Sequence, residues 1–287
     1  MAQNQFDFPH QVETAWCPGC GNFAIRKSLL AALAELGLPR EKVVLVSGIG
    51  QAAKLPQYIN TSFFNGLHGR SLPVATAIKA CNPELKVIVV GGDGDMYGEG
   101  GNHLLHATRR NPDLTLLVHD NMVYGLTKGQ ASPTSREGMV TPVQVNGVFE
   151  KPLNPLALGV ALDVPFIARA LAADMEQSKE LFKKAILHRG FALVDIFQPC
   201  ISFNKVNTFK WFKDNSYYVG DDYNPADRQA AFAKALEESP FPLGIIYRNE
   251  ERTTFEENLP LYAQDKWPLY ERKTDFSKIK QLLQSRV

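Results

Sequence analysis

The most restrictive feature of the sequence is a strand-like run that leads directly into a turn rich in glycine and aspartate. Residues 86–90 read Lys-Val-Ile-Val-Val, and residues 91–95 read Gly-Gly-Asp-Gly-Asp. The run does not alternate between apolar and polar residues, which is typical of a strand covered on both faces. Such strands occur in parallel sheets with helices on either side, so this segment favours an α/β fold.

The rest of the chain shows the same alternation of strand-like and helix-like segments. The spacing of apolar residues predicts helices over residues 23–36, 71–80, about 99–110 and 175–188, and strands over residues 43–46, 114–118, 165–168 and 191–196. Strands separated by helices imply parallel βαβ units with right-handed crossovers. The predicted fold class is therefore α/β, with a doubly wound, mostly parallel sheet.

The pattern weakens in two places. Residues 131–155 contain four prolines and are expected to form an irregular excursion. From residue 224 onward only one helix, a strand near residues 243–247 and a polar tail are indicated. We therefore predict an α/β domain over residues 1–223 and a C-terminal extension over residues 224–287.

Composition excludes several classes of protein. Among 287 residues, 31 Lys and Arg balance 30 Asp and Glu, so no net field attracts nucleic acid or an anionic membrane. No apolar run approaches the ~20 residues that span a bilayer, and the N-terminus lacks the features of a secretory signal. Four cysteines do not make a disulfide scaffold. The expected location is the cytoplasm.

Two polar residues follow neighbouring strand-like runs and suggest a metal site. Asp93 ends one run, and Asn121 ends the next run, 28 positions later. Glycines beside Asp93 would let backbone amides approach a phosphate, but the carboxylate would repel it unless a cation lay between them. Mg²⁺ prefers such oxygen donors together with phosphate. A lone Gly-Asp-Gly turn is common, whereas this ordered pair matches the pattern of thiamine diphosphate sites.

Six stretches of the chain resemble the β subunit of the 2-oxoacid:ferredoxin oxidoreductases, in family order across about residues 12–250. They are Trp16-Cys17-Pro18-Gly19-Cys20-Gly21-Asn22, Val46-Ser47-Gly48-Ile49-Gly50, His68-Gly69-Arg70, Gly91-Gly92-Asp93-Gly94-Asp95, Asp120-Asn121 with Tyr124-Gly125-Leu126-Thr127-Lys128-Gly129-Gln130, and Gln198-Pro199-Cys200. The resemblance implies the diphosphate-binding half of a thiamine diphosphate fold.

The resemblance also implies roles for individual residues. Asp93, Asn121 and the Val123 carbonyl would hold Mg²⁺, and His68 would lie near the reactive end of the cofactor. The implied cofactor-binding residues are Gly48, Ile49, Gly50, His68, Gly92, Asp93, Gly94, Asp95, Asn121, Val123, Gly125 and Leu126.

Substrate contacts and catalytic roles are implied for His68, Lys54, Leu126 and Lys128. Two ammonium groups, those of Lys54 and Lys128, would suit a second substrate carboxylate, which favours 2-oxoglutarate. Pyruvate or broad 2-oxoacid specificity is the alternative, with each lysine a solvated surface charge.

The cysteines depart from the family pattern. The family's [4Fe–4S] cluster uses four cysteines, and only Cys17, Cys20 and Cys200 stand at matching positions; Gln51 stands where the other is usual. A cluster could persist with a non-cysteine ligand or a labile fourth iron. Cys81 could replace the missing thiolate, or the site could hold zinc or nothing.

The implied reaction is the coenzyme A-dependent oxidative decarboxylation of a 2-oxoacid, with electrons passed to ferredoxin. The chain has room for one set of βαβ units, so an α subunit carrying the pyrimidine-binding domain is the expected partner. Two other hypotheses are a thiamine-dependent decarboxylase subunit without a working cluster, and a zinc-stabilised interaction module.

Overall fold

The computed structural model describes residues 4–286. It contains one eight-stranded sheet. The strands are β1 (Val43–Ser47), β2 (Ser62–Asn65), β3 (Lys86–Gly92), β4 (Leu114–Asp120), β5 (Phe166–Leu171), β6 (Ala192–Phe197), β7 (Ser216–Tyr218) and β8 (Phe241–Arg248).

Helices connect most of these strands. They are α1 (Asn22–Glu35), α2 (Ser71–Cys81), α3 (Gly101–Arg110), α4 (Pro155–Ala161), α5 (Met175–Leu187), α6 (Phe209–Asp214), α7 (Arg228–Ala235) and α8 (Phe276–Gln284). In the described part of the chain, no helix has the length and apolar character needed to cross a bilayer.

The strand order is β2-β1-β3-β4-β6-β5-β8-β7. All neighbouring strands are parallel except β5 and β8, which are antiparallel. The predicted doubly wound, mostly parallel sheet is confirmed. Because β1, β3 and β4 are adjacent and parallel, their carboxyl ends meet at one edge, where open α/β sheets bind ligands.

Two apolar layers cover the sheet. On one face, Ile25 and Leu29 of α1 pack with Phe182 of α5. On the other, Leu72 of α2 and Leu104 of α3 belong to a second core that also includes side chains of α4 and α7. Helices on both faces explain why the central strands are mostly apolar and why β4 is buried at every position.

The structure differs from the sequence pattern at several elements. Strand β2 is not predicted, and all four of its side chains are exposed at the sheet edge. Helix α3 begins at Gly101 because a π-helical turn, Gly94–Glu99, precedes it. Residues 131–155 are irregular, as expected.

The division of the chain at residue 223 stays a prediction. Strand β8 shows that part of the predicted extension belongs to the main sheet. This strand lies within the predicted extension, yet it pairs with β5 in the main sheet. The chain beyond it, to α8, carries exposed apolar side chains, including Trp267 and Phe276.

Candidate active site

A cleft of about 550 Å³, its open mouth included, lies where β1, β3 and β4 end. It brings together eleven of the residues predicted to bind the cofactor or substrate. These are Ile49, Gly50, His68, Gly92, Asp93, Gly94, Asp95, Asn121, Val123, Gly125 and Leu126. Segments far apart in sequence therefore converge on one surface, because parallel strands deliver their following loops to the same edge.

Three predicted residues lie outside the lining of this cleft. Gly48 sits behind it, and any side chain there would overlap the carboxylate of Asp95. Lys54 is half-buried in the 3-10 turn Ala52–Tyr58. Lys128 is exposed, on a loop residue with a φ of 77°. The structure thus does not bring the two lysines to the cleft wall.

Asp93, directly after β3, is almost fully buried. Its Oδ2 accepts hydrogen bonds from Ser132 Oγ at 2.5 Å and Thr134 Oγ1 at 2.8 Å. Thr134 Oγ1 also lies 2.7 Å from Asp120 Oδ1. Burial outweighs these hydrogen bonds and raises the pKa of Asp93 to about 6. The irregular segment 131–155 therefore folds back to orient this carboxylate.

Asp95 fixes the other wall of the cleft. Its Oδ1 accepts hydrogen bonds from the Gly69 amide at 2.7 Å and the Ile49 amide at 3.2 Å. Its Oδ2 is buried without a partner among the described residues, and burial raises the pKa of Asp95 to about 6. His68 Nε2 lies 3.5 Å from Asp95 Oδ1 and 3.4 Å from Glu99 Oε2. The imidazole is thus held between two carboxylates.

Tyr124 completes the cleft; it stands in one of the family-like stretches, but the sequence assigns it no role. Its ring fills the space beside Gly94, where any side chain would overlap it. Its hydroxyl donates to Glu99 Oε2 at 3.1 Å, and its ring lies edge-on to His68 with centroids 6.3 Å apart. An aromatic residue in a glycine-rich loop gives no periodic signal, so only the fold reveals this contact.

Asn121 follows β4, the strand next to the one that precedes Asp93. Asn121 Oδ1 accepts a hydrogen bond from the Val123 amide at 3.0 Å, across Met122 with a φ of 57°. Asn204 Nδ2 donates to the Asn121 carbonyl at 3.0 Å. These bonds hold the turn after β4, and Asp93, Asn121 and Val123 all line the cleft. A carboxylate, an amide and a backbone carbonyl are a donor set that suits Mg²⁺.

A second cleft, of about 400 Å³, adjoins the first. Cys17, Cys20 and Cys200 line it, and the two clefts share Gln51, Asn121 and Gly125. We call this second space the cysteine cleft. Cys81, at the end of α2, is exposed and is not part of its lining. Three of the four cysteines therefore gather beside the candidate cofactor site.

Two of the three thiols in the cysteine cleft accept hydrogen bonds from neighbouring side chains. Ser202 Oγ donates to Cys17 Sγ at 3.1 Å, and Gln198 Nε2 donates to Cys20 Sγ at 3.6 Å. Burial, with Cys200 and Cys17 nearby, raises the pKa of Cys20 to about 11. Within residues 4–286, no three His, Cys, Asp or Glu side chains are grouped to hold a single metal ion. The three thiols therefore line one cleft without forming a site for a single metal ion.

Comparisons with known proteins agree with this arrangement. Residues 43–196 match the family model described as thiamine pyrophosphate enzyme, C-terminal TPP binding domain. Residues 200–264 match the model of the C-terminal part of the pyruvate ferredoxin oxidoreductase beta subunit. The two matches abut near Cys200, which lies in the cysteine cleft.

Individual relatives cover most of the chain. It is 44% identical to subunit beta of 2-oxoacid:ferredoxin oxidoreductase 2 of Aeropyrum pernix, across 90% of this chain and 88% of the relative. It is 45% identical to the 2-oxoglutarate oxidoreductase subunit KorB of Mycobacterium tuberculosis, across 69% of this chain and 53% of the relative.

A solved structure shows the same fold. The 2-oxoglutarate:ferredoxin oxidoreductase of Magnetococcus marinus, with 2-oxoglutarate, coenzyme A and succinyl-CoA bound, matches with a TM-score of 0.90. The identity is 35%, and the match covers 98% of this chain and 96% of that one. On these grounds the chain belongs to the β subunits of the 2-oxoacid:ferredoxin oxidoreductases, a family of oxidoreductase subunits.

Proposed function

We propose that this chain binds the diphosphate half of thiamine diphosphate in a cytoplasmic 2-oxoacid:ferredoxin oxidoreductase. The complete enzyme would oxidatively decarboxylate a 2-oxoacid, with 2-oxoglutarate favoured, transfer the acyl group to coenzyme A and reduce ferredoxin. The observation that carries the proposal is the meeting of the Asp93 and Asn121 loops in one cleft, with three cysteines in the cleft beside it.

The residues of the cleft fit Mg²⁺ and a diphosphate. Asp93 would supply a carboxylate, Asn121 an amide oxygen and Val123 a backbone carbonyl, and a cation would balance the buried charge of Asp93. The backbones of Gly92, Gly94 and Asp95 would line the phosphate groups. When bound, thiamine diphosphate supplies the electron sink needed to release carbon dioxide from a 2-oxoacid.

His68 is the candidate for proton handling at the reactive end. Its Nε2 lies 3.5 Å from Asp95 Oδ1 and 3.4 Å from Glu99 Oε2, and these two carboxylates would orient the ring within the cleft. Ile49 and Leu126 are 42% and 40% exposed at the cleft rim. They would cover bound substrate and exclude water once a partner closes the cleft.

The partner is expected to be an α subunit that carries the pyrimidine-binding domain. Phe63 and Phe64 of β2 and Leu67 just after it are 48%, 46% and 75% exposed, and in the chain they lie between the segments that supply Ile49 and His68 to the cleft. Large exposed apolar patches mark protein interfaces. A subunit docked there would reach the open side of the cofactor cleft.

The cysteine cleft is the proposed site of a [4Fe–4S] cluster. Ferredoxin accepts one electron at a time, so a relay beside the cofactor is needed for the two electrons of the oxidation. Gly125 links the two spaces, since a Cβ added there would lie 3.5 Å from Cys200 Sγ. Thiolates suit iron, and binding of metal would deprotonate the Cys20 thiol despite its raised pKa.

The test of this function is turnover with and without the partner. The chain co-purified with its α subunit should release carbon dioxide from 2-oxoglutarate and reduce ferredoxin in the presence of coenzyme A. The chain alone should do neither, and turnover without a partner would contradict the division of the active site. Carbon dioxide release without ferredoxin reduction would instead favour the decarboxylase hypothesis, which the Gln51 departure makes worth testing.

Lys128 is proposed to anchor the second carboxylate of 2-oxoglutarate from its exposed loop. Lys128→Ala should raise KM about 10-fold for 2-oxoglutarate and much less for 2-oxobutyrate, because only the former carries that carboxylate. Steady-state kinetics of the complex measure both values. Lys278→Ala, on α8, is the matched control. Equal effects of Lys128→Ala on the two substrates would rule out the anchor and leave Lys54 to be tested the same way.

A further inference from the structure

We propose that the side-chain oxygen of Gln51 is the fourth ligand of the cluster in the cysteine cleft. This inference rests on the proposed function, which places a cluster there. Gln51 lines the cleft together with the three cysteines and follows directly on the Gly48-Ile49-Gly50 turn. Its position on the wall shared by the two clefts puts it between the candidate cofactor site and the thiols.

The Gln51 amide oxygen lacks a hydrogen-bond donor. Gln51 Oε1 is buried, and no donor reaches it among residues 4–286. A buried amide oxygen without a partner is unfavourable, and such groups in native proteins call for an explanation. An iron atom in the cleft would bind this oxygen. The oxygen would then replace the thiolate that the family has at the position of Gln51.

The backbone of Gln51 is fixed relative to the cysteines. Trp16 Nε1 donates to the Gln51 carbonyl at 2.8 Å, and the Trp16 side chain is buried. Because Trp16 directly precedes Cys17, this bond ties the turn that carries the amide to the Cys-x-x-Cys segment. A ligand held by a second interaction keeps its orientation toward the metal.

Gln198 is the competing amide in the cleft, and its contacts give it another role. Its Nε2 donates to Cys20 Sγ at 3.6 Å and to the Pro199 carbonyl at 3.0 Å. These bonds turn its nitrogen toward the sulfur, so it acts as a hydrogen-bond donor to a ligand. Gln198 Oε1 is also buried without a donor among the described residues, so the missing donor alone does not separate the two amides. Gln51 differs in that its amide makes no hydrogen bond among the described contacts and that it stands at the position where the family has its fourth cysteine.

Oxygen ligation has two chemical consequences. A neutral amide in place of a thiolate makes the cluster less negative by one charge, which raises its reduction potential. Amide oxygen is also a harder and weaker ligand for iron than thiolate, so the iron it binds is the most easily lost. A one-electron oxidant would take one electron from [4Fe–4S]²⁺, release Fe²⁺ and leave [3Fe–4S]⁺ on the three cysteines.

The experiment compares variants of the anaerobically purified complex with its partner subunit. Wild type, Gln51→Cys and Gln51→Ala are treated with one equivalent of ferricyanide, and iron, sulfide and low-temperature EPR are measured. Wild type should convert from four irons to three. Gln51→Cys should keep four irons and show a lower midpoint potential, and Gln51→Ala should contain a three-iron cluster before oxidation.

Cys81→Ser, outside the cleft, is the control and should behave as wild type. Unchanged iron content and midpoint potential in both Gln51 variants would overturn the inference while leaving the proposed cluster in place. Loss of iron in Cys81→Ser would also overturn it. Absence of iron from every protein, including Gln51→Cys, would overturn the inference and the electron-transfer part of the proposed function together.

Discussion

Two buried groups of charged residues in the same sheet differ in how their charges are balanced. Arg169 of β5 and Asp195 of β6 form an ion pair, with Arg169 Nε 2.9 Å from Asp195 Oδ2. Tyr97 donates to the other oxygen, Oδ1, at 2.8 Å. In contrast, within the described part of the chain, Asp93 and Asp95 have no Lys or Arg ion-pair partner.

The difference separates a structural group from a site prepared for a ligand. The Arg169 guanidinium also lies over the Phe197 ring, 4.5 Å from its centroid, so its charge is used within the protein. The carboxylates of Asp93 and Asp95 are buried as deeply, and burial raises the pKa of each because no Lys or Arg lies beside them among the described residues. The His68 imidazole offsets only part of this effect at Asp95. Uncompensated buried charge at a strand end is typical of functional sites.

The largest expected effect comes from removing one partner of the Arg169–Asp195 ion pair, which should lower the free energy of unfolding. Arg169→Met leaves Asp195 charged and unpaired in the core, which should lower the free energy of unfolding by about 3–5 kcal/mol. Urea unfolding followed by circular dichroism measures it. The double variant Arg169→Met with Asp195→Leu should recover most of the loss, since both charges are then gone. A single variant as stable as wild type would show that the pair is not structural.

The next effect is on cofactor binding. Asp93→Asn keeps the shape and the bonds from Ser132 and Thr134 but removes the charge, so Mg²⁺-dependent affinity for thiamine diphosphate should fall at least about 100-fold. Isothermal titration of the complex measures it. Stability without cofactor should not fall, because an uncompensated charge is removed. Ser132→Ala removes one hydrogen bond that orients the Asp93 carboxylate, so it should lower the affinity for thiamine diphosphate less, by about 10-fold.

The smallest effect is on pH dependence. The pKa of Asp93 is about 6, and only the ionised carboxylate binds Mg²⁺. Cofactor affinity should therefore fall about 10-fold between pH 7.5 and pH 5. Stability without cofactor should respond with the opposite sign: the folded pKa is raised, so the contribution of Asp93 improves as the pH falls through about 6. Affinity that stays constant down to pH 5 would contradict the metal role.

How much of the site could be predicted depends on whether a residue belongs to a regular element. Asp93 and Asn121 follow buried strands, and the parallel sheet forces strand ends together, so their proximity follows from the pattern. Ser132 and Thr134 reach Asp93 from an irregular segment with no periodicity. Only the folded chain shows that contact.

Elements without a clear sequence pattern also limit what can be predicted of the fold and of the residues that contact substrate. The central strands are apolar runs and are readily predicted, whereas β2 is short, exposed and paired on one side only. Lys54 lies in a 3-10 turn and Lys128 on a loop, elements without a periodic sequence signal, and neither residue lines the cleft. The resemblance gave the lysines roles that the geometry of this chain alone does not supply.

The exposed strand β2 also has a consequence for how the protein must be made. An unpaired edge that presents Phe63 and Phe64 is a template for intermolecular pairing, so the chain synthesised without its partner is at risk of aggregation. If the partner subunit docks on β2 as proposed, synthesis of the two subunits in equal amounts would cover that edge as soon as it forms. Solubility of the recombinant chain should therefore depend on co-expression stoichiometry.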